Sequence, residues 1–242
     1  MTPEVTQRLK EISVDPKTVM MPKKVEISSA LPKPAVDLQS GTANYKASIA
    51  AGSQTIPLTI KREIKDENGA WTVNETAVLP QGEIADTSTI EKGTLLLKRR
   101  LIKQGPMTID VAVTPDKVSG SMTMNGEAKP IDASTGGTLF ADGAGSYDVI
   151  AALPLADGYS LSFRNFDVMK QKPQLKQLKV VGSESVTVPA GTFDAYKVEI
   201  VSSDNDADKQ TVWIAKDSRK VVKIAAVLPS LGGAVLTSEL QP

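Results

Sequence analysis

The residue types that most often carry out catalysis near neutral pH are missing from this sequence of 242 residues. It contains no cysteine and no histidine. The lack of cysteine excludes disulfides and thiolate chemistry, and the lack of histidine excludes a Ser-His-Asp triad and a histidine-ligated zinc. An enzyme built from this chain would depend on carboxylates, lysine, serine, threonine or tyrosine alone. We therefore predict no enzymatic activity, no metal site and no cofactor.

One acidic segment has the spacing of a cation site. Asp204, Asp206 and Asp208 alternate in SSDNDADK, and three carboxylates at this spacing would offer oxygen ligands to calcium. The segment lacks the glycine and the distal glutamate of an EF-hand loop. We therefore interpret it as the solvated tip of a hairpin.

A second set of carboxylates has the residue types of a glycosidase. Glu184 with Asp194, or with Glu199, would supply the acid and base of glycoside hydrolysis. Nothing in the sequence brings them to the separation that this chemistry needs. An independent hydrolase that uses carboxylates is the weakest of the hypotheses about function.

Three aromatic side chains are the best candidates for a binding site. Phe193, Tyr196 and Trp213 lie on neighbouring predicted strands, in a chain with only 4% aromatic residues. We predict that they contact an apolar ligand, and ordinary packing on a sheet face is the alternative interpretation.

The charges argue against nucleic acid as a partner. Lysine plus arginine and aspartate plus glutamate both total 28, which gives a formal net charge of zero. Nucleic-acid binding needs a basic field, and the chain has no overall excess to supply one. The strongest local basic segment is Lys98-Arg99-Arg100, which we interpret as a solvated strand end.

The stretch from Lys179 to Ile224 predicts four consecutive antiparallel strands with tight turns. Tyr196, Val198 and Ile200 alternate with charged residues, which places the apolar set on one face. Trp213 lies between two apolar residues of the next strand and is predicted to face the other way. Several short alternating strands at close spacing are typical of an antiparallel sheet.

Two dipeptides earlier in the chain are clear hairpin signals. Asn68-Gly69 and Asn125-Gly126 separate alternating segments, and Asn-Gly adopts the positive φ values of a type I′ turn. Together with the C-terminal strands they predict a mostly β fold: a curved antiparallel sheet or an open, barrel-like β fold.

A segment rich in glycine and alanine separates two groups of strands. We predict one β domain over residues 41–242, made of halves at about 41–130 and 157–242. The connection, at about 130–156, is predicted to hold one short helix with Ser146 as its cap and Pro154 at its end.

Residues 1–40 form a predicted leader or linker. Pro3–Ile12 has the cap and spacing of a short helix, and four prolines between residues 15 and 38 favour an extended chain after it. No apolar run reaches the length of a membrane span, and the N-terminus lacks the pattern of a signal peptide. We expect that a leader or an upstream domain has been removed.

The order of several segments resembles an exported bacterial family, the domain of unknown function numbered 3108. The segments are VVGSESVTVPAGTFDAYKVEI at Val180–Ile200, TVWIAKDSRKVVKI at Thr211–Ile224, ALPLADGYSLSFRNF at Ala152–Phe166 and KGTLLLKRRLIKQG at Lys92–Gly105. Val188–Phe193 is the most specific part. The resemblance implies a periplasmic or secreted location, a curved antiparallel β fold and no known catalytic residue.

The segment from Trp213 to Ile224 is also similar to a pattern in envelope lipoprotein carriers, where a curved half-barrel holds acyl chains. Our leading hypothesis is a non-enzymatic envelope β domain that binds a lipid, another apolar ligand or an envelope protein on its concave face. The competing hypothesis is a C-terminal accessory domain of a larger exported hydrolase or peptidase.

Overall fold

The computed structural model describes residues 31–203, 205 and 207–242, and most of them lie in strands. In chain order the strands are β1 (Gly41–Ala51), β2 (Gln54–Glu67), β3 (Ala70–Leu79), β4 (Gly82–Glu91), β5 (Leu97–Gln104), β6 (Met107–Val113), β7 (Lys117–Met124), β8 (Glu127–Ser134), β9 (Ser160–Asp167), β10 (Lys172–Val188), β11 (Gly191–Ser202), β12 (Lys209–Ala215), β13 (Val221–Leu228) and β14 (Ala234–Leu240). Helix α1 (Ser146–Ala151) lies between β8 and β9, and a 3-10 turn (Pro229–Leu231) lies between β13 and β14. The predicted helix at Pro3–Ile12 lies outside the described residues.

All fourteen strands form one antiparallel sheet in which consecutive strands are paired, except that β8 and β9 are not paired with each other. The order runs from β8 through β1 and then from β14 to β9, because β1 pairs with β14 along Tyr45–Ala50. The sheet is barrel-like but does not close, since β8 and β9 are its two edges. The predicted mostly β, open antiparallel fold is confirmed.

The two Asn-Gly dipeptides form the predicted hairpin turns. Asn68 and Gly69 have φ values of 53° and 76°, and Asn125 and Gly126 have 52° and 87°. Both central residues of each turn thus have positive φ, as a type I′ turn requires. These turns set the register of β2 with β3 and of β7 with β8.

The four strands predicted between Lys179 and Ile224 are β10 to β13. Val198, Val212 and Ile214 are fully buried, and Trp213 between the last two is only half-buried, so the predicted alternation is present. The register of β10 with β11 shifts between Val180 and Gly182, a bulge that the isolated glycine within the strand accommodates.

The connection between the two halves differs in detail from the prediction. Strand β8 continues to Ser134, so the connection comprises residues 135–159 rather than 130–156. The cap of α1 is Gly145, not Ser146. Gly145 has a φ of 76°, and a Cβ atom there would lie 2.9 Å from Val73 Cγ1. Glycine therefore permits both the turn and the close approach of α1 to β3.

The connection fills the space that the curved sheet encloses. The connection contributes Leu139, Phe140, Val149, Ile150 and Leu153 to the main core, and each has at most 2% of its surface exposed. They pack against the inward-facing side chains of both halves. The connecting segment is therefore part of the main core, although most of the core residues lie on strands.

The described end of the leader is tied to the same core. Ala35 and Val36 donate backbone hydrogen bonds to Ala152 O, at 2.8 and 3.3 Å. Asp37 accepts from Trp71 Nε1–H at 2.6 Å, and its other oxygen accepts from Gly93 N–H at 3.3 Å. This segment thus joins the connection to β3 and to the turn after β4.

Replacing Asp37 with alanine is expected to lower the free energy of unfolding by about 1–2 kcal/mol, because the buried indole N–H of Trp71 would lose its acceptor. Urea denaturation measures the change. Asp217→Ala is the control, since that exposed carboxylate bonds only to the backbone N–H of Ser218, and we expect a shift within about 0.5 kcal/mol. Equal shifts for the two variants would contradict the role given to Asp37.

Candidate functional site

The structure brings two of the three predicted ligand contacts together. Phe193 and Trp213 are half-buried against a small apolar cluster that is separate from the main core, whereas Tyr196 packs against the main core. The ring of Tyr196 has Lys216 Nζ and Arg219 Cζ at 5.4 and 5.6 Å from its centroid. The small cluster comprises Tyr45, Val186, Val188, Ala195, Ala215, Val222 and Leu240. The role of the three aromatic residues in ligand binding stays a prediction.

Charged side chains surround the half-exposed indole of Trp213. Its Nε1–H donates to Glu184 Oε1, and Lys197 Nζ and Lys223 Nζ lie 5.6 and 5.9 Å from the ring centroid. The hydrogen bond from Trp213 lowers the pKa of the Glu184 carboxyl. We call Phe193, Glu184, Lys197, Trp213 and Lys223 the Trp213 patch.

The interior contains a small cavity. It lies between the connection and strands of both halves of the sheet, has a volume of about 10 Å³ and is lined by Arg100, Leu139, Asp142 and Phe166, among others. This is about the room that one water molecule needs. A lipid would have to displace the connection in order to occupy the concave face.

Arg62 is the most deeply buried charged side chain of the interior, with 3% of its surface exposed. Its Nε lies 2.8 Å from Glu75 Oε2, and its Nη1 lies 2.9 Å from Asp148 Oδ2 of α1. Nη1 also donates to the Tyr45 hydroxyl at 3.4 Å. Burial raises the pKa of Asp148, although the charge of Arg62 opposes this shift.

Arg100, on β5, repeats this arrangement three strands away from Arg62 on β2. Its guanidinium binds Asp86 at 2.7 Å, and its Nη1 donates to Asp142 Oδ1 of the connection at 3.3 Å. Asp142 also accepts from the backbone N–H groups of Gly143 and Phe166, each at 2.8 Å. Burial raises the pKa of Asp142, and Arg100 opposes the shift.

Arg100 therefore corrects the interpretation of Lys98-Arg99-Arg100 as a solvated strand end. Lys98 and Arg99 are exposed and pair with Glu91 and Asp110, as expected for such an end. Arg100 faces inward together with Ile102, two positions further along β5, because side chains alternate along a strand. Lys98 does not share that face, because the register of β4 with β5 shifts between Leu97 and Arg99. The charge of Arg100 pairs there with Asp86 and Asp142.

Sequence reasoning missed both buried arginines, although the sequence contains a signal for one of them. Arg62 follows Leu58 and Ile60 and precedes Ile64, all at the same parity. A charge at an inward position of an alternating strand indicates a buried partner. The partner itself, Asp148, lies 86 positions further along and is not indicated by any local pattern.

Of the two candidate carboxylate sites, only the glycosidase set lies wholly within the described residues. Asp204 and Asp206 lie outside the described residues, and Asp208 pairs with Lys176 at 3.5 Å. The glycosidase candidates Glu184, Asp194 and Glu199 each pair with a different lysine, namely Lys197, Lys216 and Lys209. No group of three or more acidic residues within the described part of the chain has metal-site geometry.

Comparisons with known proteins agree with this architecture. The family described as "Protein of unknown function (DUF3108)" matches residues 40–239. No protein with a curated description matches the chain. Within the described ranges, no helix is both long and apolar enough to cross a bilayer.

Among solved structures, a beta-barrel-like protein of the domain of unknown function DUF1849 from Brucella abortus is similar, with a TM-score of 0.57 and 10% identity over 85% of this chain and 97% of that chain. The hypothetical lipoprotein YmcC from Escherichia coli has a TM-score of 0.34 and 8% identity, with 85% of each chain covered. A LolA superfamily protein from Nitrosomonas europaea has a TM-score of 0.23 and 12% identity, with 88% and 87% covered. The first comparison shows a shared fold, and the other two are too distant to support an argument.

Proposed function

The chain belongs to DUF3108, a family of proteins of unknown function, and from this premise we propose that it is a non-enzymatic domain of the cell envelope that binds a protein partner at the Trp213 patch. The envelope location rests on the resemblance to an exported family. The absence of histidine and cysteine from the sequence supports a binding role over a catalytic one.

The observation that most strongly supports this proposal is that the connection occupies the interior. The residues of the connection occupy the concave face, and the cavity beside them holds only about 10 Å³. Removing large buried side chains such as Phe140 and Leu153 from the core would cost about 2–5 kcal/mol for each, before any ligand is bound. A partner on the outer surface needs no such rearrangement.

The Trp213 patch has the composition of a protein-binding centre. Tryptophan is among the residues most enriched in binding hot spots, and the patch combines it with Phe193 and with charges of both signs. Both aromatic residues rest on the small apolar cluster, which fixes their orientation in the free protein. A pre-organised aromatic anchor loses little side-chain entropy on binding.

Photo-crosslinking in the source bacterium tests this proposal. A benzophenone amino acid at position 213 is expected to give one adduct of defined mass, whereas the same probe at Lys103, an exposed position on β5, gives none. Trp213→Ala is expected to weaken the captured complex about 30-fold or more, as a hot-spot residue does, and Lys103→Ala is the matched control.

Native mass spectrometry of the protein purified from the envelope distinguishes a domain that binds a protein partner from one that carries a lipid. We expect the mass of the chain without a lipid. A stoichiometric lipid-sized ligand, or equal crosslinking at positions 213 and 103, would overturn the proposal.

A further inference from the structure

The connection is attached to the first half of the sheet by charges rather than by apolar contacts alone. Each of the two buried arginines lies between one carboxylate of the sheet and one carboxylate of the connection. Arg62 binds Glu75 and Asp148, and Arg100 binds Asp86 and Asp142. We call these two groups the charge triads.

The charge triads contain more acid than base. Four carboxylates face two guanidinium groups, so the two charge triads together carry a net charge of −2 when all groups are ionised. Glu75 and Asp86 are also directly opposite each other on β3 and β4. A buried excess of negative charge is unfavourable, and the binding of protons relieves it.

We propose that the connection is a proton-linked latch: seating of residues 135–159 on the first half of the sheet is coupled to proton uptake by Asp142 and Asp148. Mild acid then holds the connection in place, and a rise in pH loosens it and opens the concave face. This device is independent of the partner proposed for the Trp213 patch.

The other groups around the two aspartates do not supply the missing positive charge. The Tyr45 hydroxyl donates to Val221 O, and burial raises the pKa of Tyr45 to about 12, so it stays neutral. The Tyr147 hydroxyl donates to Gln210 Oε1 at 3.1 Å, and burial raises its pKa as well. Within the described residues, no ion pair joins Asp142 or Asp148 to any cation other than Arg100 or Arg62.

The second half of the sheet holds the connection by contacts that do not titrate with these carboxylates. Arg219 Nη1 donates to Leu153 O at 3.2 Å, beyond the end of α1. Asp208, which faces Tyr147 from the loop before β12, is paired with Lys176. Loosening is therefore expected on the side of the first half, where Arg62 and Arg100 lie.

The direction of the pH effect follows from the pKa shifts of the two aspartates. Burial raises both pKa values above the ordinary 3.8, and release into water would return them to it. The seated connection therefore binds protons more tightly than the released one. Its stabilisation is fully present below a pH of 3.8 and is lost as the pH rises through the raised pKa values.

Hydrogen exchange on the intact protein measures this coupling. The amides of Val149 and Ala152 donate within α1 and report its opening, and the amides of Val198 and Val212 in the sheet report global unfolding. After correction for intrinsic exchange rates, we expect the protection of α1 relative to the sheet to increase on acidification by up to about tenfold per pH unit for each proton taken up. A flat or opposite profile would overturn the latch.

Two variants test whether the pH dependence of the protection of α1 comes from the charge triads. Asp148→Asn keeps the shape of the side chain without its charge, and we expect it to remove about half of the pH slope. Asp132→Asn is the control, because Asp132 is an exposed partner of Lys117, with 68% of its side chain exposed. An unchanged slope in Asp148→Asn, or an equal loss in Asp132→Asn, would also overturn the proposal.

Discussion

Replacing Arg62 with methionine is expected to lower the free energy of unfolding by about 3–5 kcal/mol, the typical cost of removing one partner of a buried ion pair. Methionine replaces the unbranched stem of arginine but lacks the guanidinium group, so the ion pairs are lost while the packing of the stem is largely kept. Glu75 and Asp148 would remain in the interior without the guanidinium that neutralises them. Urea denaturation at neutral pH measures the effect.

An exposed arginine of the same sheet provides the matched control. Arg99 pairs with Asp110 at 2.6 Å, but 58% of its side chain is exposed. Solvent screens this pair, and Arg99→Met is expected to cost about 0–1 kcal/mol. Similar losses at the two positions would show that the network around Arg62 contributes no more than a surface pair.

Removing the charge of the two carboxylates that Arg62→Met leaves unpaired tests why stability is lost. It also provides a second variant that is expected to fold. The triple variant Arg62→Met, Glu75→Gln, Asp148→Asn has no unpaired charge at this position. We expect it to recover about half or more of the lost stability, because the replacement of a whole buried ion network is often close to neutral. A triple variant less stable than Arg62→Met alone would contradict this explanation.

The sequence predicts the sheet well because its signals are local. The Asn-Gly turns at residues 68–69 and 125–126 need only two residues to define a hairpin, and alternation of Val198, Ile200 and their neighbours needs only one strand. In a sheet where all consecutive strands except β8 and β9 are paired, such local information is nearly sufficient for the order of the strands. The pairing of β1 with β14 is the exception.

The contacts of the interior were harder to predict from the sequence, because they join residues that are far apart in the chain. Nothing near Asp148 indicates Arg62 as its partner, and nothing near Asp142 indicates Arg100. The glycine-rich composition of the connection suggests a linker, although its apolar residues are the centre of the core. Tyr196 is separated from Phe193 and Trp213 for a local reason: it lies opposite Ile214 and faces the main core, whereas Trp213 lies opposite Lys197 on the other face of the sheet.

Gly120→Ala is expected to be the most damaging substitution of a single small residue in the sheet. A Cβ atom at position 120 would lie 2.0 Å from Asp110 O and 2.8 Å from Val111 Cα. Both are backbone atoms of β6, directly across from β7, so neither can move away without breaking the pairing of these strands. We expect a loss of about 3 kcal/mol or more in the free energy of unfolding, at the upper end of overpacking effects.

Gly182 provides a control that distinguishes the effect of steric overlap from the effect of backbone strain. It also lies in a strand, its φ of 153° is close to the 158° of Gly120, and a Cβ atom there would have no neighbour within 4 Å. Gly182→Ala therefore carries the same conformational strain without the collision, and we expect it to cost about 1 kcal/mol. The difference between the two urea midpoints measures the close approach of β7 to β6. Equal midpoints would mean that φ alone requires glycine at position 120, because the strands would then have room to separate.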